Sequence, residues 1–114
     1  RFYNFGLMTA DEVSYAGGVY AKPNTSAYYS LNASGGSSTG SASWWTMSPY
    51  SSSWGGSTYY LAYVFVVRGS DTPGFLTNSS VNSSSVVRPV VSLKSSVLVT
   101  GGSGTGSNPY TLTM

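Results

Sequence analysis

The run Tyr59-Tyr-Leu-Ala-Tyr-Val-Phe-Val-Val67 constrains the fold more than any other part of the chain. Aromatic and β-branched residues dominate it, which predicts a β-strand. Its side chains are apolar at both odd and even positions, so both faces need cover and the strand belongs inside a sheet. Gly55-Gly-Ser-Thr58 before it and Arg68-Gly-Ser-Asp-Thr-Pro-Gly74 after it are loop and turn signals. Phe75-Leu-Thr77 reads as a short returning strand and Asn78 to Ser85 as a polar loop.

The rest of the chain supplies one helix and weaker strands. Thr9 is a good N-cap and Glu12 follows three residues later, a capping box. Met8 and Val13 sit where a hydrophobic staple forms, and Asp11 and Glu12 suit the positive end of the helix dipole. Gly17-Gly18 supplies a left-handed stop. These signals predict a helix of about two turns, which needs tertiary packing to persist, with Val13 and Ala16 inward. Val19 to Ser43 has no sustained period, and Pro23-Asn24 and the Gly/Ser run after Asn32 mark turns and a flexible loop. Val86 to Leu93 reads as a second strong strand, and Pro89 within it points to an edge or a bulge. Val97–Thr100 and Tyr110–Thr113 read as terminal strands around a Gly/Ser turn closed by Asn108-Pro109. Phe2–Phe5 is a further candidate strand. No internal repeat is evident. At 114 residues the chain reads as a single domain, 1–114.

Chemistry-bearing groups are scarce. Charged residues make up 7% of the chain, against about 25% in ordinary domains. The acids are Asp11, Glu12 and Asp71; the bases are Arg1, Lys22, Arg68, Arg88 and Lys94. A net charge of +2 is too small and too scattered to argue for nucleic acid or a membrane surface, so no nucleic-acid partner and no membrane insertion by this segment are expected. The absence of Cys and His removes disulfides, thiolate chemistry and the usual zinc and copper sites, so no cofactor or metal is expected. No apolar run has the length of a membrane span. Asp11 and Glu12 are the one close carboxylate pair, but neighbouring helix positions diverge and capping accounts for both. A nucleophilic Ser has no His as base, and pairing with Lys22 or Lys94 has no supporting motif. Gly101-Gly-Ser-Gly-Thr-Gly106 lacks the Lys and helix of a phosphate loop. The chain is therefore expected not to be an enzyme. Asn24, Asn32, Asn78 and Asn82 each match the glycosylation acceptor pattern, which arises easily by chance in a chain so rich in Ser.

Between Ala27 and Tyr63 large rings alternate with Ser, Gly, Asn and Thr, without one charged residue. Flat rings on small spacers are the composition of adaptable contact surfaces. The candidate ligand-binding residues are Tyr28, Tyr29, Trp44, Tyr50, Trp54, Tyr59 and Tyr60. The alternative is that these rings fill a small, charge-poor core. Trp44 and Trp45, adjacent on an extended segment, point to opposite sides, so one is expected in the core and the other outside.

Four segments carry a resemblance. Leu7-Met-Thr-Ala-Asp-Glu-Val-Ser-Tyr-Ala-Gly-Gly18, Trp44-Trp-Thr-Met-Ser-Pro-Tyr50, Val87-Arg-Pro-Val-Val-Ser-Leu-Lys94 and Gly101-Gly-Ser-Gly-Thr-Gly-Ser-Asn-Pro-Tyr110 occur in that order. Together they resemble an uncharacterised extracellular module of gut Firmicutes, found at the C-terminal end of surface proteins and of proteins with prepilin-like leaders. A more distant likeness is to the C-type-lectin-like fold, in the branch of formylglycine-generating enzymes and hypervariable receptor-binding proteins. Thr9, Glu12 and Ala16 fit its helix motif, Trp45 and Ser48-Pro49 its central segment, and Val87-Arg88-Pro89-Val90 its late strand, with Val in place of the usual Gly. The likeness implies an α+β, C-type-lectin-like domain: one or two short helices on a twisted, mainly antiparallel sheet with long loops. It implies that Arg88 is a structural residue, paired with Glu12. The cysteines of the enzymatic members and the carboxylate cluster of calcium-dependent lectins are missing, so those activities are not expected to carry over.

The expected architecture places Ala27 to Thr58 and Asn78 to Ser85 as long loops on one exposed face. The expected function is non-catalytic binding or adhesion at a bacterial cell surface, outside the cell, to a protein or glycan ligand. The alternative is a structural subunit or outer domain of a pilin-like filament or other surface assembly, through self-assembly. The chain begins at Arg1 rather than Met and is expected to be the C-terminal part of a longer surface protein.

Overall fold

The computed structural model describes residues 5–24, 43–54, 60–68, 72, 74–105 and 107–113. Among these the chain is mostly β-sheet with one short helix, an α+β arrangement. In chain order the elements are β1 (Phe5–Gly6), α1 (Ala10–Tyr15), β2 (Val19–Tyr20), β3 (Ser43–Trp54), β4 (Tyr60–Arg68), β5 (Phe75–Ser80), β6 (Val90–Val91), β7 (Leu98–Gly101) and β8 (Thr111–Thr113). The main sheet has the order β2-β5-β4-β3. β4 is interior, as its aromatic and β-branched sequence predicts, and antiparallel to both neighbours; β2 joins β5 in parallel. β1 with β6, and β7 with β8, form separate antiparallel pairs.

The expectation of a loop from Ala27 to Thr58 is overturned at Ser43–Trp54, the longest strand among the described residues. Five serines and Pro49 mask its strand-favouring Trp44, Trp45, Thr46, Tyr50 and Trp54. An interior strand such as β4 needs backbone partners on both sides, and β3 supplies one side. Twelve residues of β3 run beside nine of β4, and the excess is absorbed in irregularities between Trp45 and Pro49 and between Pro49 and Ser51. Pro49 has no N–H to give and sits where the ladder is broken. There the buried Thr46 hydroxyl donates to the Phe65 carbonyl at 2.8 Å, and the Ser48 N–H donates to the Thr46 oxygen at 3.3 Å. The parts of this supposed loop at 27–42 and 55–58 lie outside the described residues.

Two further expectations change. Asn78 to Ser80 is strand, continuing β5 along β4, and the turn begins only at Val81. Val86 to Leu93 is not one strand. Pro89 divides it into Val86, which bridges Trp44, and β6, which pairs with β1. The terminal hairpin forms where its sequence places it.

The helix is built as its sequence dictates. Thr9 Oγ1 accepts from the Glu12 N–H at 3.1 Å, and Glu12 Oε2 accepts from the Thr9 N–H at 2.7 Å. The Ala10 N–H, one of the orphan donors of a helix start, is taken by Ser48 Oγ of β3 at 2.9 Å. At the other end Gly17 adopts φ 94°, and the N–H groups of Gly17 and Gly18 bond Ser14 O and Val13 O at 3.0 and 2.8 Å. This double bond pattern is a Schellman stop. Gly18 is also sterically required, because a Cβ there would lie 2.5 Å from Val13 Cγ1.

Val13 points inward and completes a core of Val13, Trp44, Val67 and Leu76, against which Met8, Ala10, Ala16, Phe65 and Val86 pack. Helix and strands are thus joined around one indole. The Arg88 guanidinium lies 4.8 Å from the centre of the Trp44 ring, a cation–π contact worth about 0.5–2 kcal/mol.

Candidate functional site

Beyond the core, the same face of the main sheet carries rings that remain open to solvent. Phe65 of β4 stands opposite Asn78 of β5 in the ladder. Tyr20 arrives from β2, held by the parallel register Tyr20–Leu76. Tyr50 arrives from β3, where the irregularities about Pro49 set its position. The centres of Phe65 and Tyr50 are 5.1 Å apart and those of Phe65 and Tyr20 6.2 Å, both edge-to-face. The Tyr20 and Tyr50 rings lie within 11° of parallel, with centres 6.0 Å apart. Their hydroxyls share a hydrogen bond of 3.0 Å, and Asn78 Nδ2 donates to the Tyr20 hydroxyl at 3.3 Å. The result is a row, Tyr20–Asn78–Phe65–Tyr50, laid across all four strands.

Each ring of the row is braced by another, although Tyr20 is 46% and Tyr50 42% exposed. Side chains already ordered lose less entropy when a ligand covers them. Edge-to-face pairs add about 0.5–1.5 kcal/mol beyond burial, so the row is held without a deep core beneath it. The Tyr50 hydroxyl is raised above its ordinary pKa of 10.0. The hydrogen bond to Tyr20 is the main cause, followed by repulsion from an ionised Tyr20 and then burial. The surface is therefore neutral at ordinary pH. Ala21, immediately after Tyr20, has φ 56°, and its N–H still bonds Leu76 O of β5 at 2.9 Å where β2 ends.

The other sequence candidates fall in different places. Trp44 is withdrawn from the contact set: it is wholly buried in the core, where no ligand reaches it. Trp45 lies on the opposite face and lines a groove of about 220 Å³ with Leu7, Thr46, Val64 and Val81. Trp54 and Tyr60 pair edge-to-face with centres 4.2 Å apart and are 55% and 74% exposed, at the far end of the β3–β4 pair. Tyr28, Tyr29 and Tyr59 lie outside the described residues. Tyr20, Phe65 and Asn78 escaped the sequence reading. Phe65 belonged to a run that read as pure core, and Asn78 to one that read as loop. Nothing local to Tyr20 announces a strand in parallel with β5.

The remaining features offer little reactive chemistry. A groove of about 450 Å³ is lined by Phe5, Gly6, Met8, Glu12, Val90, Val91 and Ser92. Glu12 is its one carboxylate and is engaged with Thr9. No group of three or more His, Cys, Asp or Glu that could hold a metal occurs among the described residues. No helix of the described residues is long and apolar enough to cross a membrane. Two of the glycosylation-pattern asparagines have structural tasks: Asn24 Nδ2 donates to Gly17 O at 2.7 Å, and Asn78 Nδ2 serves Tyr20. Comparison with protein-family models, with curated proteins and with solved structures finds no match to this chain.

Proposed function

We propose that the chain is a non-catalytic extracellular binding or adhesion module of C-type-lectin-like type, and that the Tyr20–Asn78–Phe65–Tyr50 row contacts a protein or glycan ligand at a cell surface. The observation that carries this reading is the bracing of exposed rings across separate strands. Rings assembled at some cost to solvation, on a neutral face with hydroxyl and amide groups at hand, suit sugar rings and peptide side chains. The composition supports it, since the chain has no His or Cys and few charged groups, whereas Tyr, Trp, Ser and Asn abound.

The test is a glycan and protein array probed with the wild-type chain and with the Tyr20→Ala, Tyr50→Ala double variant. Specific hits that the double variant loses are expected. Hits that survive it unchanged, or an array without hits, overturn the reading. A second reading is a structural subunit or outer domain of a pilin-like filament or other surface assembly. It is favoured by one observation, the exposed apolar side chains of the β7–β8 hairpin.

A further inference from the structure

The groove of about 450 Å³ lies between the start of α1 and the β1–β6 pair. Its volume falls within the roughly 300–1,000 Å³ of small-molecule sites. Its walls are largely apolar. Phe5 and Val91 are ladder partners, 68% and 55% exposed, and Met8 and Val90 complete the lining beside them. Gly6 stands opposite Val90 and brings no side chain; a Cβ there would meet nothing within 4 Å.

Into this apolar setting the helix delivers one carboxylate, already fixed in place. Glu12 Oε2 accepts from the Thr9 N–H at 2.7 Å and from Thr9 Oγ1 at 3.1 Å. Oε1 accepts no hydrogen bond among the described residues. Glu12 also makes no ion pair among them. Arg88, the partner that the lectin-like resemblance implies for it, lies on the Trp44 ring instead. Lys94, two residues beyond the lining Ser92, does not pair with it either. Asp11 at the next helix position adds a second negative charge nearby. The groove therefore suits a ligand with a cationic head and an apolar body. The head is narrowed further. A guanidinium fork uses both oxygens of a carboxylate, and here one oxygen is already taken twice. An ammonium needs only the other.

We propose that the groove binds a small primary amine, its ammonium donating to Glu12 Oε1 and its apolar body covering Phe5, Met8, Val90 and Val91. An ammonium at Oε1 leaves the bonds to Oε2 in place, so binding does not dismantle the helix cap. Glu12 is exposed, so the ion pair is modest and salt-sensitive. The proposal is independent of the ligand reading, because no residue of the groove belongs to the aromatic row.

NMR titration of the 114-residue chain with phenethylamine tests it, with 2-phenylethanol as the uncharged analogue and a glycine-flanked lysine peptide as the macromolecular source of the same head. Glu12→Gln removes the charge and keeps the cap, because Gln serves at that position of a capping box as Glu does; circular dichroism verifies its fold. Phenethylamine is expected to shift Phe5, Met8, Val90 and Val91 along one binding curve. It should bind Glu12→Gln about two- to fivefold more weakly. The alcohol should bind both forms alike and more weakly than the amine binds wild type, and the peptide should bind wild type more weakly than phenethylamine. Added salt should weaken the amine and not the alcohol, a comparison that needs no variant. Unmoved groove signals, an alcohol that binds as tightly as the amine, or an amine indifferent to both salt and Glu12→Gln overturns the proposal. A lysine peptide that binds more tightly than phenethylamine also overturns it, in favour of a protein partner.

Discussion

At the scale of single residues, Trp44 decides the most. It joins Val13 of the helix to Val67 and Leu76 of the sheet, and it carries Arg88 on its ring. Its indole N–H is buried with no hydrogen-bond partner among the described residues, a state that costs about 1–3 kcal/mol. Trp44→Ala should lose about 3–5 kcal/mol of stability. Trp44→Phe keeps an aromatic ring and sheds the unsatisfied donor, so it should lose less than half as much. Denaturant titration checks the ratio, and equal losses would show that the N–H is not a liability. Tyr50 gives a second residue-scale prediction. Because its folded-state pKa is raised above 10.0, its neutral form is the one that folding favours. That contribution is fully present below about pH 10 and lost as pH rises through the elevated pKa. Ultraviolet titration of tyrosinate should show Tyr50 ionising late in the wild type and nearer 10.0 in Tyr20→Phe, where the hydroxyl partner is gone. An identical titration in both would remove Tyr20 as the cause.

At the scale of elements, α1 and β3 show opposite kinds of legibility. The helix was readable because its instructions are local: Thr9, Glu12 and Gly17 lie within its own ends. β3 was unreadable because its instructions are not. Ser43–Trp54 mixes aromatic residues with serines, a proline and two irregularities, and it becomes a strand through the ladder of β4. The aromatic row inherits both outcomes. Tyr50 was named as a candidate from composition, but its partners Tyr20 and Asn78 depended on the β2–β5 and β4–β5 registers, which no local spacing announces. Trp44 and Trp45 did diverge to opposite faces, as extended geometry requires, and only the structure says which of them is core. Besides the Trp44–Val13 packing, a hydrogen bond joins the two elements: the Ser48 hydroxyl accepts from the Ala10 N–H. Thr9→Ala should cost about 1 kcal/mol through loss of the capping box. Ser48→Ala should cost about as much through an orphaned helix donor, although it leaves the helix sequence untouched. Thermal melts of the two single variants measure this, and a neutral Ser48→Ala would mean that water replaces the hydroxyl without loss.

At the scale of the whole molecule, the chain places a small core at one end of its main sheet and leaves exposed apolar surface elsewhere. Its extents are 57 × 37 × 25 Å, with a radius of gyration of 15.9 Å, against about 13 Å for a compact chain of this length. An elongated body with a thin core has much surface to offer partners. The aromatic row and the β7–β8 hairpin are two separate parts of that surface. The central claim is that the row is the ligand surface, and it can be tested on the intact protein by following side-chain and backbone NMR signals while an array-identified ligand is added. Tyr20, Tyr50, Phe65 and Asn78 should shift together along one binding curve, with the Val99 and Leu112 signals unmoved. Shifts confined to Trp54 and Tyr60, to the Trp45 groove or to the hairpin would contradict the account.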